Sequence, residues 1–202
     1  MSVLLALWIV GVMPISARPR AKRVVMIALD GISVPGFTTA HTPNLDNLLA
    51  QGALSLTTRV VMPSVTLPNW TSHLTGSGPE QHGVVDNGWQ IDKKGFPAVE
   101  IDKEGYYPSV FKVMKEEIPE CKTAFYYNWI NLFYPYNKKY LDEVSYLEND
   151  AYVPNYEKAF DFIVRNQDLP TLVFLYSVHT DHAGHAHKSV SYTHLTLPTN
   201  SR

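Results

Sequence analysis

Short apolar segments that alternate with amphipathic segments most constrain how this chain can fold. Residues Arg23–Leu29 (RVVMIAL) and Thr171–Val178 (TLVFLYSV) are nearly continuous apolar runs. Runs of this kind are typical of parallel strands that are buried on both faces of a sheet. Lys122–Tyr127 and Leu54–Val61 are further runs of similar character. We therefore predict a strand at each of these four segments.

Segments with helical periodicity separate the predicted strands. Thr42-Pro43 opens one such segment, with leucines on one face and Gly52 after its last apolar residue. Thr42 is a candidate N-cap, and proline is favoured at the first helical position. Further helices are predicted from about Pro68 to Gly76, over Tyr107–Glu117 and over Ala151–Val164. Strands that alternate with helices predict an α/β layered fold.

Composition excludes several classes of protein. The 202 residues are 45% hydrophobic and 18% charged, which is ordinary for a globular protein and argues against a disordered or coiled-coil chain. The net charge of −2 provides no basic surface for a nucleic-acid polymer. The single cysteine, Cys121, excludes an internal disulfide and a cysteine-based zinc cluster, and we expect it to be buried as a small apolar side chain.

The N-terminus has the pattern of an export signal. Residues Val3–Ala17 carry no charge, end in small residues and are followed by several Arg and Lys residues. Because this stretch is shorter than the roughly 20 apolar residues of a membrane span, we predict a signal peptide over residues 1–17, no transmembrane span, and a periplasmic or secreted protein. No Lys or Arg precedes Val3, so a buried N-terminal strand or an uncleaved anchor is the alternative.

Polar residues that could carry chemistry follow the predicted strands, where open α/β sheets bind ligands. Asp30 follows the first strand, although Asp-Gly is also a common turn. Asp181 and His185 lie in a histidine-rich cluster after the last strand, at a spacing that lets both reach one cation such as Zn²⁺; a solvated polar loop is the alternative. Thr66 precedes a predicted helix N-terminus, which attracts phosphate. From the local pattern alone, Thr66 is more simply an N-cap.

Four segments together resemble the type I phosphodiesterase/nucleotide pyrophosphatase family of the alkaline phosphatase superfamily. In chain order they are VVMIALDG, TPNLDNLLAQGA, MPSVTLPNWTSHLTGSGPEQHGVVDN and DHAGH. The resemblance covers residues 23–188 and implies an alkaline-phosphatase-like three-layer α/β/α sandwich, of which this chain would hold the N-terminal portion only. His82 also matches the family pattern, but no catalytic role maps onto it, so we expect it to be structural.

The resemblance also implies roles for individual residues. Thr66 matches the catalytic nucleophile, which shares a metal ion with Asp30. Asn87 matches the catalytic asparagine that donates a hydrogen bond to a phosphoryl oxygen. Asp181 and His185 match ligands of a second metal ion. The implied cofactors are two divalent metal ions, expected to be Zn²⁺, and the implied reaction is hydrolysis of a small-molecule phosphate ester (a phosphodiester or a pyrophosphate) through a covalent phosphothreonine.

Residues next to the predicted nucleophile bear on which class of ester the protein cleaves. In nucleotide-cleaving relatives an aromatic residue that stacks on the base follows the nucleophile, whereas this chain has Leu67 there; Tyr126, Tyr127 and Trp129 are candidates to replace it. A sulfatase needs Cys or Ser followed by Pro-x-Arg, and the segment TLPNW lacks that arginine. The open alternatives are another hydrolase of the superfamily, such as a phosphonate hydrolase or phosphomonoesterase, and a catalytically inactive ligand-binding module.

The C-terminal residues resemble a sequencing artefact. Residues 190–199 (VSYTHLTLPT) agree codon for codon with a translated transposon mosaic-end adaptor. We therefore expect a signal peptide at 1–17, the N-terminal part of a phosphodiesterase catalytic domain at 18–188, and a non-native tail at 189–202. Because the family places further metal ligands after Asp-x-x-Gly-His, we expect the 202-residue chain by itself to be inactive and unstable.

Overall fold

The computed structural model describes residues 22–93, 95–148 and 151–187, so the predicted signal peptide and adaptor tail lie outside the described residues. The elements in chain order are β1 (Arg23–Leu29), α1 (Val34–Thr39), α2 (Pro43–Leu49), α3 (Thr66–Thr75), α4 (Pro79–His82), α5 (Val110–Glu117), β2 (Lys122–Tyr127), β3 (Glu143–Tyr146), α6 (Val153–Arg165), β4 (Thr171–Ser177) and α7 (His179–His187), with short 3₁₀ turns at Ile130–Phe133 and Lys138–Tyr140. None of these helices is long and apolar enough to cross a membrane.

The four strands form one parallel sheet in the order β1-β4-β2-β3. Thr171 at the start of β4 pairs with Arg23 of β1 on one side and with Lys122 of β2 on the other. Because every pairing is parallel, the carboxyl ends of all four strands lie at the same edge of the sheet. The segments that follow β1 and β4 therefore lie side by side at that edge.

Helices cover both faces of the sheet, which confirms the predicted α/β/α layering. The side chains of β4 alternate between two hydrophobic clusters, as the two-residue period of a strand requires. One cluster contains Phe174 and Tyr176 together with side chains of α3 and α5. The other contains Val173 and Leu175 together with Ala159 and Phe162 of α6, and the remaining members are Ala124 and Tyr126. Cys121 is buried, as expected.

The prediction that β1 is buried on both faces is wrong. All seven residues of β4 are buried, as predicted, but Val25 and Ile27 of β1 are 43% and 62% exposed. The reason is position in the sheet: β1 is an edge strand, and α6 packs against β2 and β4. An apolar run alone does not distinguish a central strand from an edge strand.

Two other predicted elements differ in the structure. Residues 54–61 form no strand, and Leu54 and Val60 are 54% and 65% exposed, because no neighbouring strand pairs with them in the described parts of the chain. The histidine-rich segment after β4 is the helix α7 rather than a polar loop. The sequence patterns also missed β3 and α1, which are only four and six residues long.

Candidate active site

All five residues singled out from the sequence line one cavity at the carboxyl edge of the sheet. The cavity has a volume of about 630 Å³. Its walls include Asp30, Thr66, Asn87, Asp181 and His185. These residues come from four separate parts of the chain, and the parallel sheet brings the ends of β1 and β4 together there.

Thr66 is the first residue of α3, two positions earlier than the predicted helix start at Pro68. The N-cap is Val65, in an extended conformation, and it supplies no side-chain cap. The Thr66 hydroxyl makes no hydrogen bond to any residue that the structure describes, so the interpretation of Thr66 as a simple N-cap is wrong. A free hydroxyl at a helix N-terminus, in the wall of a cavity, is available to a ligand.

Asn87 completes the start of α3. Its Oδ1 accepts a hydrogen bond from the main-chain N–H of Leu67 at 2.7 Å, so a side chain distant in sequence caps the helix N-terminus. Asn131 donates to the main-chain carbonyl of Asn87 at 2.8 Å and fixes that loop. With Oδ1 engaged, the Nδ2 group of Asn87 keeps its donors free among the described residues, which suits contact with an anionic oxygen.

Asp30 is held in place by its neighbours. Tyr176 donates a hydrogen bond to Oδ2 at 2.6 Å, and the Gly31 N–H donates to Oδ1 at 3.0 Å. Burial raises the pKa of the Asp30 carboxyl, and the negative charge of Asp181 raises it further, which together outweigh these hydrogen bonds. Two nearby carboxylates in a desolvated site repel each other, and bound divalent cations would relieve that repulsion.

Gly31 allows the two carboxylates to approach. A Cβ atom at this position would lie 2.6 Å from the Cα of Asp181, and the glycine has a φ of +73°. Both the space and the left-handed backbone therefore require glycine here. Thr180 adds a hydrogen bond to the main-chain oxygen of Asp30. The turn after β1 is thus closely packed against the start of α7.

Asp181 and His185 lie on one face of α7, four residues apart. The His185 Nε2 and Asp181 Oδ2 atoms are 3.5 Å apart, and the imidazole is 80% exposed. Carboxylate oxygen, imidazole nitrogen and a threonine hydroxyl are donors that Zn²⁺ accepts. Within residues 22–93, 95–148 and 151–187, however, no cluster of three or more His, Cys, Asp or Glu side chains could hold a metal ion. The donor chemistry fits zinc, but the described residues bring together fewer ligands than the four of a typical zinc site.

The lining of the cavity shows which of the candidate aromatic residues can contact a ligand. Trp129 lines the cavity, whereas Tyr126 and Tyr127 are buried in the sheet. Leu67 is fully buried in the core and does not line the cavity. Of the candidates to replace a stacking aromatic residue, only Trp129 is therefore positioned to do so.

Sequence reasoning missed several residues of the site. Tyr176, Trp70, Asn69, His73 and His182 all line the cavity. The two-residue period of β4 could have placed Tyr176 on the same face as Phe174, next to α3. The spacing of Asn69 and His73, one and two turns after Thr66, could have placed them near its face of the helix.

His82 is structural, as expected. It is buried, its Nδ1 accepts from the Val84 N–H at 3.1 Å, and its Nε2 lies 3.0 Å from the Ser72 hydroxyl. Because Nδ1 is the acceptor, Nε2 carries the proton and donates a hydrogen bond to the Ser72 hydroxyl. Burial lowers the pKa of His82 to about 4, and the charge of Glu80 offsets this only in part.

Comparisons of the sequence with known proteins identify a family and several similar proteins. Residues 24–194 match the family "Type I phosphodiesterase / nucleotide pyrophosphatase". The chain is 25% identical over 194 residues to an uncharacterized pyrophosphatase/phosphodiesterase of Schizosaccharomyces pombe, covering 81% of this chain and 35% of that protein. It is 35% identical over 66 residues to ectonucleotide pyrophosphatase/phosphodiesterase family member 3 of Mus musculus, covering 32% of this chain and 8% of that protein.

Solved structures show the same fold. Murine ectonucleotide pyrophosphatase/phosphodiesterase 5 superposes with a TM-score of 0.64 at 18% identity, covering 85% of this chain and 47% of that one. Its inactive threonine-to-alanine variant, solved in complex with AMP, superposes with a TM-score of 0.63 at 18% identity, covering 80% and 44%. The chain therefore spans less than half the length of these similar proteins.

Proposed function

The chain belongs to the type I phosphodiesterase/nucleotide pyrophosphatase family, and from this premise we propose that it is the N-terminal part of an exported, metal-dependent hydrolase of phosphodiester or pyrophosphate bonds. The observation that carries the proposal is the unpartnered hydroxyl of Thr66 at the N-terminus of α3, in a cavity that also contains Asp30, Asn87, Asp181 and His185. In a structural neighbour, replacement of a threonine by alanine accompanies an inactive state that binds AMP.

In the proposed reaction, the Thr66 hydroxyl loses its proton to water and its Oγ attacks phosphorus; the bond from phosphorus to the leaving oxygen breaks, and the leaving group takes up a proton from solvent. A phosphothreonine ester results, and attack of water on phosphorus then breaks the ester and restores the Thr66 hydroxyl. Divalent cations, for which we propose Zn²⁺ at Asp30/Thr66 and at Asp181/His185, would lower the pKa of the hydroxyl and neutralise charge on the leaving oxygen when bound. Further ligands of both cations are proposed to lie outside the described residues.

Asn87 is proposed to bind the transferred phosphoryl group. Its Oδ1 is already held by the Leu67 N–H, which orients Nδ2 as a donor that needs no rearrangement on binding. Because Leu67 gives its N–H to Asn87 and Pro68 has none, only the Thr66 N–H is left among the first three main-chain donors of α3. We propose that Asn87 Nδ2 donates to the phosphoryl oxygens in place of the main-chain N–H groups that Leu67 and Pro68 do not offer.

The test is turnover by the full-length protein with bis(p-nitrophenyl) phosphate and with p-nitrophenyl phosphate. We expect preference for the diester, loss of turnover on zinc removal with recovery on zinc addition, and a fall in kcat of at least about 1,000-fold in Thr66→Ala. Thr75→Ala is the matched control, because Thr75 lies at the other end of α3, where its hydroxyl donates to the main-chain oxygen of Thr71 and accepts from the Ser77 N–H.

Other outcomes would point to the alternatives. A clear preference for the monoester would favour a phosphomonoesterase of the same superfamily. Binding of AMP by a protein that hydrolyses neither p-nitrophenyl ester would favour a ligand-binding module. We also propose that the 202-residue chain by itself is inactive, and zinc-dependent turnover by that chain, abolished in Thr66→Ala, would refute this.

A further inference from the structure

Residues 61–65 lead into α3 and thereby set where Thr66 lies. One side chain, that of Asn69 in the first turn of α3, bonds to this segment repeatedly. Its Oδ1 accepts from the Val61 N–H at 2.8 Å. Its Nδ2 donates to the main-chain oxygens of Val65 at 2.8 Å, Pro63 at 3.2 Å and Val61 at 3.5 Å.

We propose that Asn69 is a positioning residue for the nucleophile: it clamps residues 61–65 so that Thr66 enters α3 with its hydroxyl directed at the reacting phosphorus. The inference rests on the proposed function. Nothing in the sequence pattern had assigned Asn69 a role.

The chemistry of the side chain supports a role through Thr66 rather than through substrate. An asparagine has one accepting oxygen and two donated hydrogens. Here the oxygen binds the Val61 N–H and the hydrogens are shared among three carbonyls of the same loop. Although Asn69 lines the cavity, its hydrogen-bonding capacity is therefore engaged by the loop, which leaves little for a ligand.

Residues 61–65 make few other contacts, so few other interactions could hold this segment in place if the Asn69 hydrogen bonds were lost. Met62 and Val65 are 75% and 40% exposed, so apolar burial holds this segment only weakly. Within the described segment, one further hydrogen bond closes the turn, from the Val65 N–H to the Pro63 oxygen. A loop with little burial depends on its polar contacts for a defined shape.

The experiment compares Asn69→Asp and Asn69→Ala with wild type in the full-length protein. Aspartate has the size of asparagine but no donor, and its charge faces three carbonyl oxygens. Since small misplacement of a reacting group costs up to about 100-fold, we expect kcat to fall about 10- to 100-fold with KM and zinc content unchanged. Hydrogen exchange of the Val61 amide should accelerate in Asn69→Ala, which lacks the accepting oxygen, while exchange in β4 stays the same. Asn47→Asp on α2, an exposed position, is the matched control.

Each outcome decides the matter. Unchanged kcat, or unchanged exchange at Val61, overturns the positioning role. A parallel loss of zinc, of protection throughout the sheet and of activity shows that Asn69 serves only the fold, which also overturns it. If Thr66→Ala abolishes turnover and Asn69→Asp leaves kcat unchanged, this inference fails while the proposed function stands; if Thr66→Ala is fully active, the proposed function fails.

Discussion

Acidification tests the structural role of His82 directly. The imidazole is about 1% exposed, accepts from the Val84 N–H and donates to Ser72, so the folded protein holds it in the neutral form. Its pKa falls from 6.5 to about 4, chiefly because burial disfavours the charged ring. In the unfolded chain the ring is solvated and takes up a proton near pH 6.5.

The sign of the effect follows from which state binds more protons. Between pH 6.5 and about 4 the unfolded state carries the extra proton, so the free energy of unfolding decreases as pH falls. The stabilisation is fully present above pH 6.5 and is lost by about pH 4. At about 1.4 kcal/mol for each pKa unit, the loss over this range is about 3 kcal/mol, a large share of the stability of a domain.

Chemical denaturation at a series of pH values measures this loss. His82→Gln should be less stable than wild type at neutral pH, because the Val84 and Ser72 contacts are disturbed, but its stability should change about 3 kcal/mol less across the same range. His41→Gln, at an exposed position, should retain the wild-type pH dependence. Equal pH dependence in wild type and His82→Gln would refute the reasoning, as would an NMR titration in which the His82 ring protonates near pH 6.5.

Two further substitutions test the packing around the cavity. Gly31→Ala should destabilise the protein by more than the about 1–2 kcal/mol of left-handed backbone strain, because its Cβ would meet the Asp181 main chain, and it should weaken zinc binding in a chelator competition. Gly76→Ala has a similar φ of +68° and an open surrounding, so equal losses in the two variants would contradict a close contact at Gly31. Leu67→Phe should cost about 1–3 kcal/mol in denaturation by overpacking the core, whereas Leu48→Phe at a 68% exposed position should cost little. A lower KM for a nucleotide substrate in Leu67→Phe without loss of stability would show that residue 67 faces the cavity after all.

The sequence predicted the centre of the sheet better than its edge. The β2 and β4 segments have apolar residues at successive positions, and both strands are buried because neighbours pair with them on either side. Arg23–Leu29 has the same pattern, but its burial depends on its place in the strand order, which is a property of the whole chain. Leu54–Val61 shows that an apolar run without a pairing partner is not a strand.

The candidate site could be assembled from motifs, but its supporting contacts could not. Asp30 and Asp181 follow strands, so the rule for open α/β sheets placed them at one edge. The hydrogen bonds of Tyr176 to Asp30 and of Asn69 to residues 61–65 depend on side-chain directions that no spacing in the sequence specifies. The helical form of α7 was also missed, because histidine and glycine are weak helix formers and its apolar pattern is slight.

The adjacency of β1 and β4 has a consequence for folding kinetics. The hydrogen bond from Thr180 to the main-chain oxygen of Asp30 joins residues 150 positions apart, so the turn after β1 acquires its partners only when a very long loop closes. Such non-local parallel pairing is intrinsically slow. During synthesis, β1 leaves the ribosome early and has no partner strand in this sheet until β4 has been made. The candidate site therefore depends on one of the most distant contacts in the chain and is expected to form late, after β2, β3 and α6 have already collapsed against one another.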